Sequence, residues 1–266
     1  MRLTGLKLTC AAAALLGLGA TAYADDTAAA APAAPDWGKV SAYVAVQSDY
    51  RFRGISQNDR NIDPEGSINW SGPMGFYAGT WVAKTNWSGV AYSPTDGASP
   101  TVEVDLYGGK HFDLDGTDLN IEAYYYSYPD ANKNILLTYA SYYETIVQLS
   151  HTFDKLTLTA TGANSPEWSL HGGTAWYAEG TASYALDDWL SVSGNLGHQW
   201  VQRAPSDYTH WDIGATATWK SWSLDVRYIG NDISKANCSF WIGTGTDSCA
   251  DTVVATLTFN ISDLFQ

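Results

Sequence analysis

The clearest pattern in the chain is an alternation of apolar and polar residues. Between residues 40 and 53, Val40, Val44 and Val46 fall on one face of an extended chain, while Gln47 and Asp49 fall on the other. Successive side chains of a β-strand point to opposite faces, so this alternation predicts a strand with one apolar side and one polar side.

The same alternation recurs along the rest of the chain in about twelve segments. Their predicted cores are residues 40–53, 63–71, 76–86, 101–112, 119–128, 142–153, 156–164, 174–186, 189–201, 207–219, 222–231 and 252–265. The chain is therefore predicted to be all-β, with antiparallel strands that follow one another in sequence order.

The connections between these segments are of two kinds, and the two kinds alternate. Short connections, such as Asp154-Lys155 and Lys220-Ser221, follow the even-numbered strands, and long ones follow the odd-numbered strands. Short turns at one rim and long loops at the other are typical of an outer-membrane β-barrel. The nine prolines agree with this layout, because they fall outside the strands or at strand ends, where no ladder hydrogen bond is lost.

Alternation alone does not decide which face of such a barrel is outside. A soluble barrel, with an apolar interior and a solvated polar exterior, has the same period. Two features favour a membrane barrel. The apolar faces contain small residues such as Ala215 and Ala217, which would fill a core poorly, and aromatic residues such as Trp211 and Trp219 stand at the ends of these faces. We therefore predict an antiparallel transmembrane β-barrel whose charged face surrounds the lumen.

The first residues are predicted to direct export. In residues 1–24, Arg2 and Lys7 precede a short apolar stretch, and the segment ends in Ala22-Tyr23-Ala24, which has the form of a signal-peptide cleavage site. An N-terminal anchor helix is the alternative. Residues 25–36 are predicted to be an Ala/Pro-rich linker, and residues 37–266 the barrel domain. The expected destination is the outer membrane of a Gram-negative bacterium.

The charge balance narrows the range of partners. The chain has 14 Lys+Arg against 28 Asp+Glu, a formal net charge of −14, and 14% of its residues are aromatic. This acidity argues against a nucleic-acid partner, which would require a basic face to meet phosphates. The aromatic content excludes ordinary disorder.

One motif resembles a known family. The stretch Ser48–Gln57 resembles a motif of the TorF-type porins, and residues 75–81, 142–144 and Glu179, with a late cysteine pair, carry the resemblance along nearly all of the chain after the linker. The resemblance implies an outer-membrane β-barrel that acts as a passive channel. Its expected surroundings are outer-membrane lipid and lipopolysaccharide, and no cofactor is expected.

The residues predicted to line the pore are polar and aromatic positions on the inward faces of the strands. They are Gln47, Asp49, Arg51, Arg53, Glu103, Asp105, Glu122, Tyr124, Tyr126, Glu144, Glu179, Asp212, Asp225 and Arg227. Twelve strands about 4.7 Å apart and tilted by about 40° give a backbone radius of roughly 12 Å, which admits small solutes unless loops fold in. Because the summed charge of this set is acidic, a weak cation preference is expected.

Two groups within this set have two interpretations each. Arg51 and Arg53, near the outer mouth on the first strand, form either a basic strip that opposes acidic walls and orients solutes, or salt bridges that stiffen the wall. Tyr124, Tyr126 and Tyr128 form either a stacking surface for sugars or a filler that narrows the barrel.

Cys238 and Cys249 are predicted to form a disulfide in the last long loop, because an exported protein meets an oxidising compartment. The alternating oxygen-bearing side chains of residues 59–65 resemble a Ca²⁺ loop. However, Pro64 stands where an EF-hand needs its turn glycine, so a solvated loop is preferred and no metal site is predicted.

The function predicted from these features is passive diffusion of small hydrophilic solutes or ions through a charged lumen. No catalytic residue is predicted, since the five histidines show no HExxH spacing and no G-x-S-x-G occurs. Two alternatives remain open. One is an outer-membrane barrel enzyme acting on lipid, with His198 beside Trp200 as its candidate, and the other is a non-conducting structural or binding barrel.

Overall fold

A computed structural model describes residues 37–87, 100–131, 140–242 and 247–262 of the chain. The predicted signal peptide and linker, residues 1–36, lie outside the described residues and remain predictions.

Twelve strands form one closed antiparallel barrel, as predicted. The strands, which include two short ones inside the barrel, are β1 (Lys39–Gln47), β2 (Arg51–Phe52), β3 (Ile55–Ser56), β4 (Asp63–Ser71), β5 (Phe76–Lys84), β6 (Val102–Leu114), β7 (Thr117–Ser127), β8 (Tyr142–Phe153), β9 (Leu156–Trp168), β10 (Gly173–Asp187), β11 (Leu190–Val201), β12 (Tyr208–Trp219), β13 (Trp222–Asn231) and β14 (Thr252–Asn260). The wall runs from β4 to β14 in sequence order, and β1 pairs with both β4 and β14 to close it.

The tight turns at one rim match the twist of the strands that they join. Between β6 and β7, Asp115 and Gly116 have φ values of 58° and 82°, and the carboxylate of Asp113 accepts the Gly116 N–H at 2.8 Å. Positive φ at both central residues is typical of a type I′ turn, whose handedness suits a two-residue hairpin. This rim is the one predicted to carry the short connections.

The apolar faces of the wall point outward. Val40, Leu196 and Ile213 are 68%, 61% and 67% exposed, whereas Glu103 and Glu144 are each 1% exposed. A soluble barrel would show the reverse distribution, so the apolar-interior alternative is wrong for this chain. The exposed aromatic residues Trp176, Trp200, Trp219, Trp222 and Tyr228 lie toward the strand ends, as in an interfacial girdle.

The first predicted strand, residues 40–53, is wrong in its second half. β1 ends at Gln47, and the following residues leave the wall and re-form as the β2–β3 pair. Alternation continues past Gln47 in the sequence, which is why the extended pattern concealed the turn. The last strand also ends earlier than predicted, at Asn260.

A helix that the alternation did not predict, α1 (Lys235–Ile242), lies between β13 and β14. The predicted disulfide joins it to the segment before β14, with the Cα atoms of Cys238 and Cys249 5.9 Å apart. Within the described residues, no helix has the length and apolarity to cross a membrane.

The buried apolar residues lie inside the barrel, toward the rim with the long loops. This luminal core includes Ile55, Trp87, Tyr126, Tyr128, Tyr142, Tyr208 and the two disulfide cysteines. Because a twelve-stranded barrel is too wide for wall side chains alone to fill, residues from the loops complete this core.

The outward orientation of the apolar faces predicts that two neighbouring arginine substitutions cost different amounts of stability, with the larger cost on the outward face. Leu196→Arg, which places a charge on the outward face near the middle of β11, should destabilise the barrel in lipid vesicles by about 2–4 kcal/mol. Thr181→Arg is its control, because Thr181 lies on the neighbouring strand facing inward beside the Glu179 carboxylate. Urea unfolding monitored by tryptophan fluorescence measures both. Equal costs for the two substitutions would contradict the assigned faces.

Candidate functional site

The most unusual feature of the barrel is a segment that turns into its lumen. We name residues 48–62 the inward hairpin; within it, Arg51 pairs with Ser56 and Phe52 with Ile55. Arg53 and Gly54 connect the two strands with φ values of 47° and 84°, which is a type I′ arrangement. Gly54 is also required by space, since a Cβ there would lie 2.8 Å from His210 Cβ.

Backbone groups anchor the inward hairpin to the loops around it. The Ser56 N–H donates to the Ser248 carbonyl at 2.9 Å, and the Asn86 N–H donates to the Gln57 carbonyl at 2.8 Å. The side-chain amide of Asn231 donates to the Gly54 carbonyl at 3.0 Å. The hairpin is therefore tied across the barrel to the β13–β14 and β5–β6 connections.

Arg51 holds the hairpin together from within. Its Nε donates to the Asp49 carboxylate at 2.7 Å, and its Nη1 donates to the carbonyls of Gly54 and Ala250 at 3.0 and 2.8 Å. Asp49 also accepts a hydrogen bond from Ser56 Oγ at 2.5 Å. The prediction that Arg51 stands on the wall strand is wrong; it lies buried in the hairpin, and its contacts agree with the salt-bridge interpretation.

Arg53, at the hairpin tip, reaches the far wall instead of extending the first strand as predicted. Its two terminal nitrogens donate to the two carboxylate oxygens of Glu144 on β8, at 2.9 and 2.7 Å. Nη1 also donates to Gln199 Oε1 on β11 at 2.6 Å. Burial disfavours the guanidinium cation, but the Glu144 carboxylate beside it holds the pKa of Arg53 above its ordinary value. The cation is thus paired by a forked, charge-assisted contact.

Aromatic rings surround the same guanidinium. The Arg53 Cζ atom lies 3.8 Å from the ring centre of Tyr177, 4.7 Å from that of Phe52 and 5.5 Å from that of Trp168. Rings at these distances attract a cation through their negative faces, and the attraction strengthens where water is excluded.

Glu103 and Asp105 form a second buried acidic group, on the inward face of β6. Glu103 accepts the Tyr128 hydroxyl at 3.0 Å, and Asp105 accepts the Tyr124 hydroxyl at 2.9 Å. Their other carboxylate oxygens, Glu103 Oε2 and Asp105 Oδ1, have no hydrogen-bond partner among the described residues. The pair places two adjacent buried carboxyl groups on the inward face of the wall.

Two members of the predicted tyrosine row, Tyr124 and Tyr126, stack with Tyr107 and Tyr142, whereas the third, Tyr128, packs against Trp87 with ring centres 4.6 Å apart. Ring centres lie 5.1 Å apart for Tyr107 and Tyr124, 4.5 Å for Tyr124 and Tyr126, and 4.4 Å for Tyr126 and Tyr142. The hydroxyl of Tyr126 donates to Glu144 at 3.0 Å. These rings narrow the barrel, which agrees with the filler interpretation.

The other predicted pore residues line the lumen toward the rim with the short turns. Arg227 donates to Asp225 at 2.6 Å and to Asp212 at 2.7 Å; the side chains of Arg227 and Asp212 are more exposed than those of Arg53 and Glu144, while Asp225 is buried. Glu179 accepts the Tyr177 hydroxyl at 2.5 Å. Glu122 is half-buried on β7.

At the barrel seam, Gln47 donates to Glu65 at 2.7 Å and to Asp63 at 3.1 Å. Asp63 also accepts the Lys84 N–H at 2.8 Å. Asp63 and Glu65 were predicted to lie in an oxygen-rich loop, but both stand on β4. Among the described residues, no group of three or more His, Cys, Asp or Glu side chains is arranged to hold a metal.

Several residues of this site were not predicted from the sequence. Gln199, Tyr177 and His210 are buried and converge on or near the Arg53 tip, and Trp168 packs against it. The signal was present for Gln199, Tyr177 and His210, because each occupies an inward position of an alternating strand. Their convergence depends on a hairpin that alternation cannot reveal. His198 lies on the outward face, with Nδ1 2.9 Å from Thr209 Oγ1.

A cavity of about 120 Å³ lies beside the inward hairpin. Its walls are mainly aromatic and include Phe52, Tyr142, Trp168, Tyr208 and Trp241. It forms a vestibule on the side of the hairpin that faces the long loops.

Comparison with known proteins gives a family and a shared fold. A family model described as "Bacterial protein of unknown function (Gcw_chp)" matches residues 29–265. No curated protein matches the chain significantly. The KdgM porin, solved in complex with disordered oligogalacturonate, is 9% identical with a TM-score of 0.52, covering 83% of this chain and 98% of its own. The NanC porin is 11% identical with a TM-score of 0.52, covering 81% and 98%. At these identities the likeness shows the barrel fold alone.

The Arg53–Glu144 pair predicts a strongly coupled double-mutant cycle. Glu144→Gln leaves a buried guanidinium without its counter-charge and should cost about 3–5 kcal/mol. Arg53→Gly leaves the carboxylate unpaired, so the double variant should lose about 1–3 kcal/mol less than the sum of the two single variants. Urea unfolding in detergent micelles measures all three.

The control cycle uses Arg203→Ala and Glu167→Gln. These two side chains are 3.5 Å apart but 59% and 53% exposed, so their coupling should stay below about 1 kcal/mol. An additive result for Arg53 and Glu144 would show that the pair does not hold the hairpin.

Proposed function

This chain belongs to the Gcw_chp family of bacterial proteins, whose function is unknown, and we propose that it is an outer-membrane channel for small hydrophilic solutes. In this proposal it acts by passive diffusion, not by catalysis. The inward hairpin narrows the path, and luminal carboxylates favour cations.

One observation carries the proposal: a closed barrel of twelve strands with apolar residues outside and charged residues inside. An apolar outer band suits lipid, and a polar inner face suits water or a polar solute. Export by residues 1–24, outer-membrane insertion and contact with lipopolysaccharide follow as parts of the same proposal.

The inward hairpin makes this a constricted channel. In an open pore the inward side chains would be wet, yet Glu103, Glu144 and Gln199 are at most 1% exposed. That level of the lumen is therefore filled, and the wider part lies toward the rim with the short turns. We propose that solutes pass when the hairpin shifts, as a loop gate does.

The charge at the constriction favours cations. Among the described residues, Arg51 pairs with Asp49 and Arg53 pairs with Glu144, while Glu103 and Asp105 add two buried carboxyl groups that form no ion pair. Rings of carboxylates in a narrow, poorly hydrated passage attract cations and repel anions. Oligogalacturonate, the polyanion with which the KdgM porin was solved, is therefore a poor substrate for this lumen.

A second candidate is a binding barrel that does not conduct. The packed luminal core favours it because it fills the long-loop end of the lumen, and the aromatic vestibule offers a surface for a bound solute. The two candidates differ in conductance.

Replacing residues 50–57 with a Gly/Ser segment of equal length removes the constriction and should raise single-channel conductance several-fold in planar bilayers. In a salt gradient, the reversal potentials of the wild type and of this variant should both indicate cation preference. The same replacement at residues 202–207, which lie on the outer rim and are mostly exposed, is the control and should leave conductance unchanged. Absence of conductance in every protein would favour the binding barrel.

A further inference from the structure

The Arg53 guanidinium is bound by hydrogen-bond acceptors, by a carboxylate and by an aromatic ring. Glu144 and Gln199 accept its hydrogen bonds, and the Tyr177 ring lies 3.8 Å from its Cζ atom. The arginine side chain is 8% exposed and that of Glu144 is 1% exposed. This is a desolvated cation site with a charge, a fork of acceptors and an aromatic face.

All parts of that site except the cation and Phe52 belong to the wall. We name it the cation pocket, formed by Tyr126, Glu144, Trp168, Tyr177 and Gln199 on the consecutive strands β7 to β11. The side chains also brace one another, since Tyr126 donates to Glu144 at 3.0 Å and Gln199 Nε2 donates to the Trp176 carbonyl at 3.0 Å. The pocket is therefore a property of the rigid sheet, and the hairpin contributes its occupant.

We infer that the cation pocket is a binding site for small organic cations of the guanidinium class, and that Arg53 is its built-in competitor. As a statement about which solutes the channel admits, the inference rests on the proposed function. As a statement about binding, it rests on the pocket alone.

The chemistry of the pocket selects this ligand class. A carboxylate with two oxygens 2.9 and 2.7 Å from two nitrogens of one planar group matches a guanidinium, which presents parallel N–H donors. A flat cation can also stack on the Tyr177 ring, whereas a hydrated ammonium ion would satisfy fewer of these acceptors. An anionic solute would meet Glu144 without a counter-charge.

The backbone conformation of Arg53 weakens its competition with a free ligand for the cation pocket. Arg53 has a φ of 47°, in the left-handed region that is unfavourable for a residue with a side chain. A tethered group competes with a free ligand at an effective concentration of about millimolar for short connections, so free guanidinium compounds at comparable concentrations can displace it.

Acidic side chains extend from the pocket toward the wider part of the lumen. The Tyr177 hydroxyl bonds to Glu179, and Asp212 and Asp225 lie farther along the neighbouring strands. Arg227 bridges Asp212 and Asp225, so carboxylates still outnumber basic groups in this set, and the excess raises the local concentration of cations on the approach to the pocket.

The test uses methylguanidinium as the probe and Arg53→Gly as the main variant, because glycine accepts the positive φ of the hairpin tip. Equilibrium dialysis of the detergent-folded protein should show one bound methylguanidinium per chain, at least about tenfold more tightly than in the wild type, where the site is occupied. Arg53→Gly with Glu144→Gln should abolish this binding. Arg227→Ala removes another luminal arginine and should bind as the wild type does.

A second variant, and a measurement on the wild type, test the inference even if Arg53→Gly misfolds. Arg53→Ala should also bind the probe, and in the wild type methylguanidinium should speed amide hydrogen exchange in residues 50–57. Arg53→Gly protein with wild-type circular dichroism that binds no more tightly than the wild type overturns the inference, as does binding that Glu144→Gln leaves intact. Binding in the absence of conductance in every protein would overturn the proposed function and leave the cation pocket standing.

Discussion

The structure depends on one constraint: the apolar face of each strand is directed away from the barrel, so the polar face must find its partners inside. In a closed sheet the backbone N–H and C=O groups are hydrogen-bonded between strands. The luminal side chains are then the polar groups that still require water or one another as partners. At twelve strands the lumen is too wide to be spanned by facing side chains. The chain meets this constraint with the inward hairpin, the tyrosine stack and the pairs that Arg51, Arg53 and Arg227 form with carboxylates.

The inward hairpin links the fold to the proposed function. It begins where β1 ends. Arg51 fastens its base through Asp49, and Arg53 fastens its tip through Glu144. The tip combines a strained backbone with a forked ion pair, and Phe52 and Ile55 beside it pack in the luminal core. In the proposed channel, release of these contacts would let the hairpin shift and open the path.

Much of the wall was predictable because one rule, alternation with period two, governs it. That rule separates the face of Val44 from the face of Glu144, the small and aromatic residues of the apolar faces indicated which face is outward, and the alternation of short and long connections indicated the barrel layout. The rule failed where local turn geometry took over. Residues 48–53 continue the alternating pattern, yet Arg53-Gly54 forms a turn that sends Arg53 to β8, and no sequence period encodes a contact between residues 53 and 144. The helix α1 was missed for a similar reason, since the packing of its Trp241 against Tyr208 is a tertiary feature.

The direction of the apolar faces is the central claim, and it can be measured directly. Spin labels placed singly at Val44 and Ile213, with Thr181 as an inward-facing comparison, report this direction by their accessibility to oxygen, which concentrates in lipid, and to a water-soluble nickel chelate. In vesicles, the labels at Val44 and Ile213 should be accessible to oxygen and not to the chelate. Labels at these two positions that are shielded from both reagents, in a protein that remains dissolved without lipid or detergent, would contradict the account.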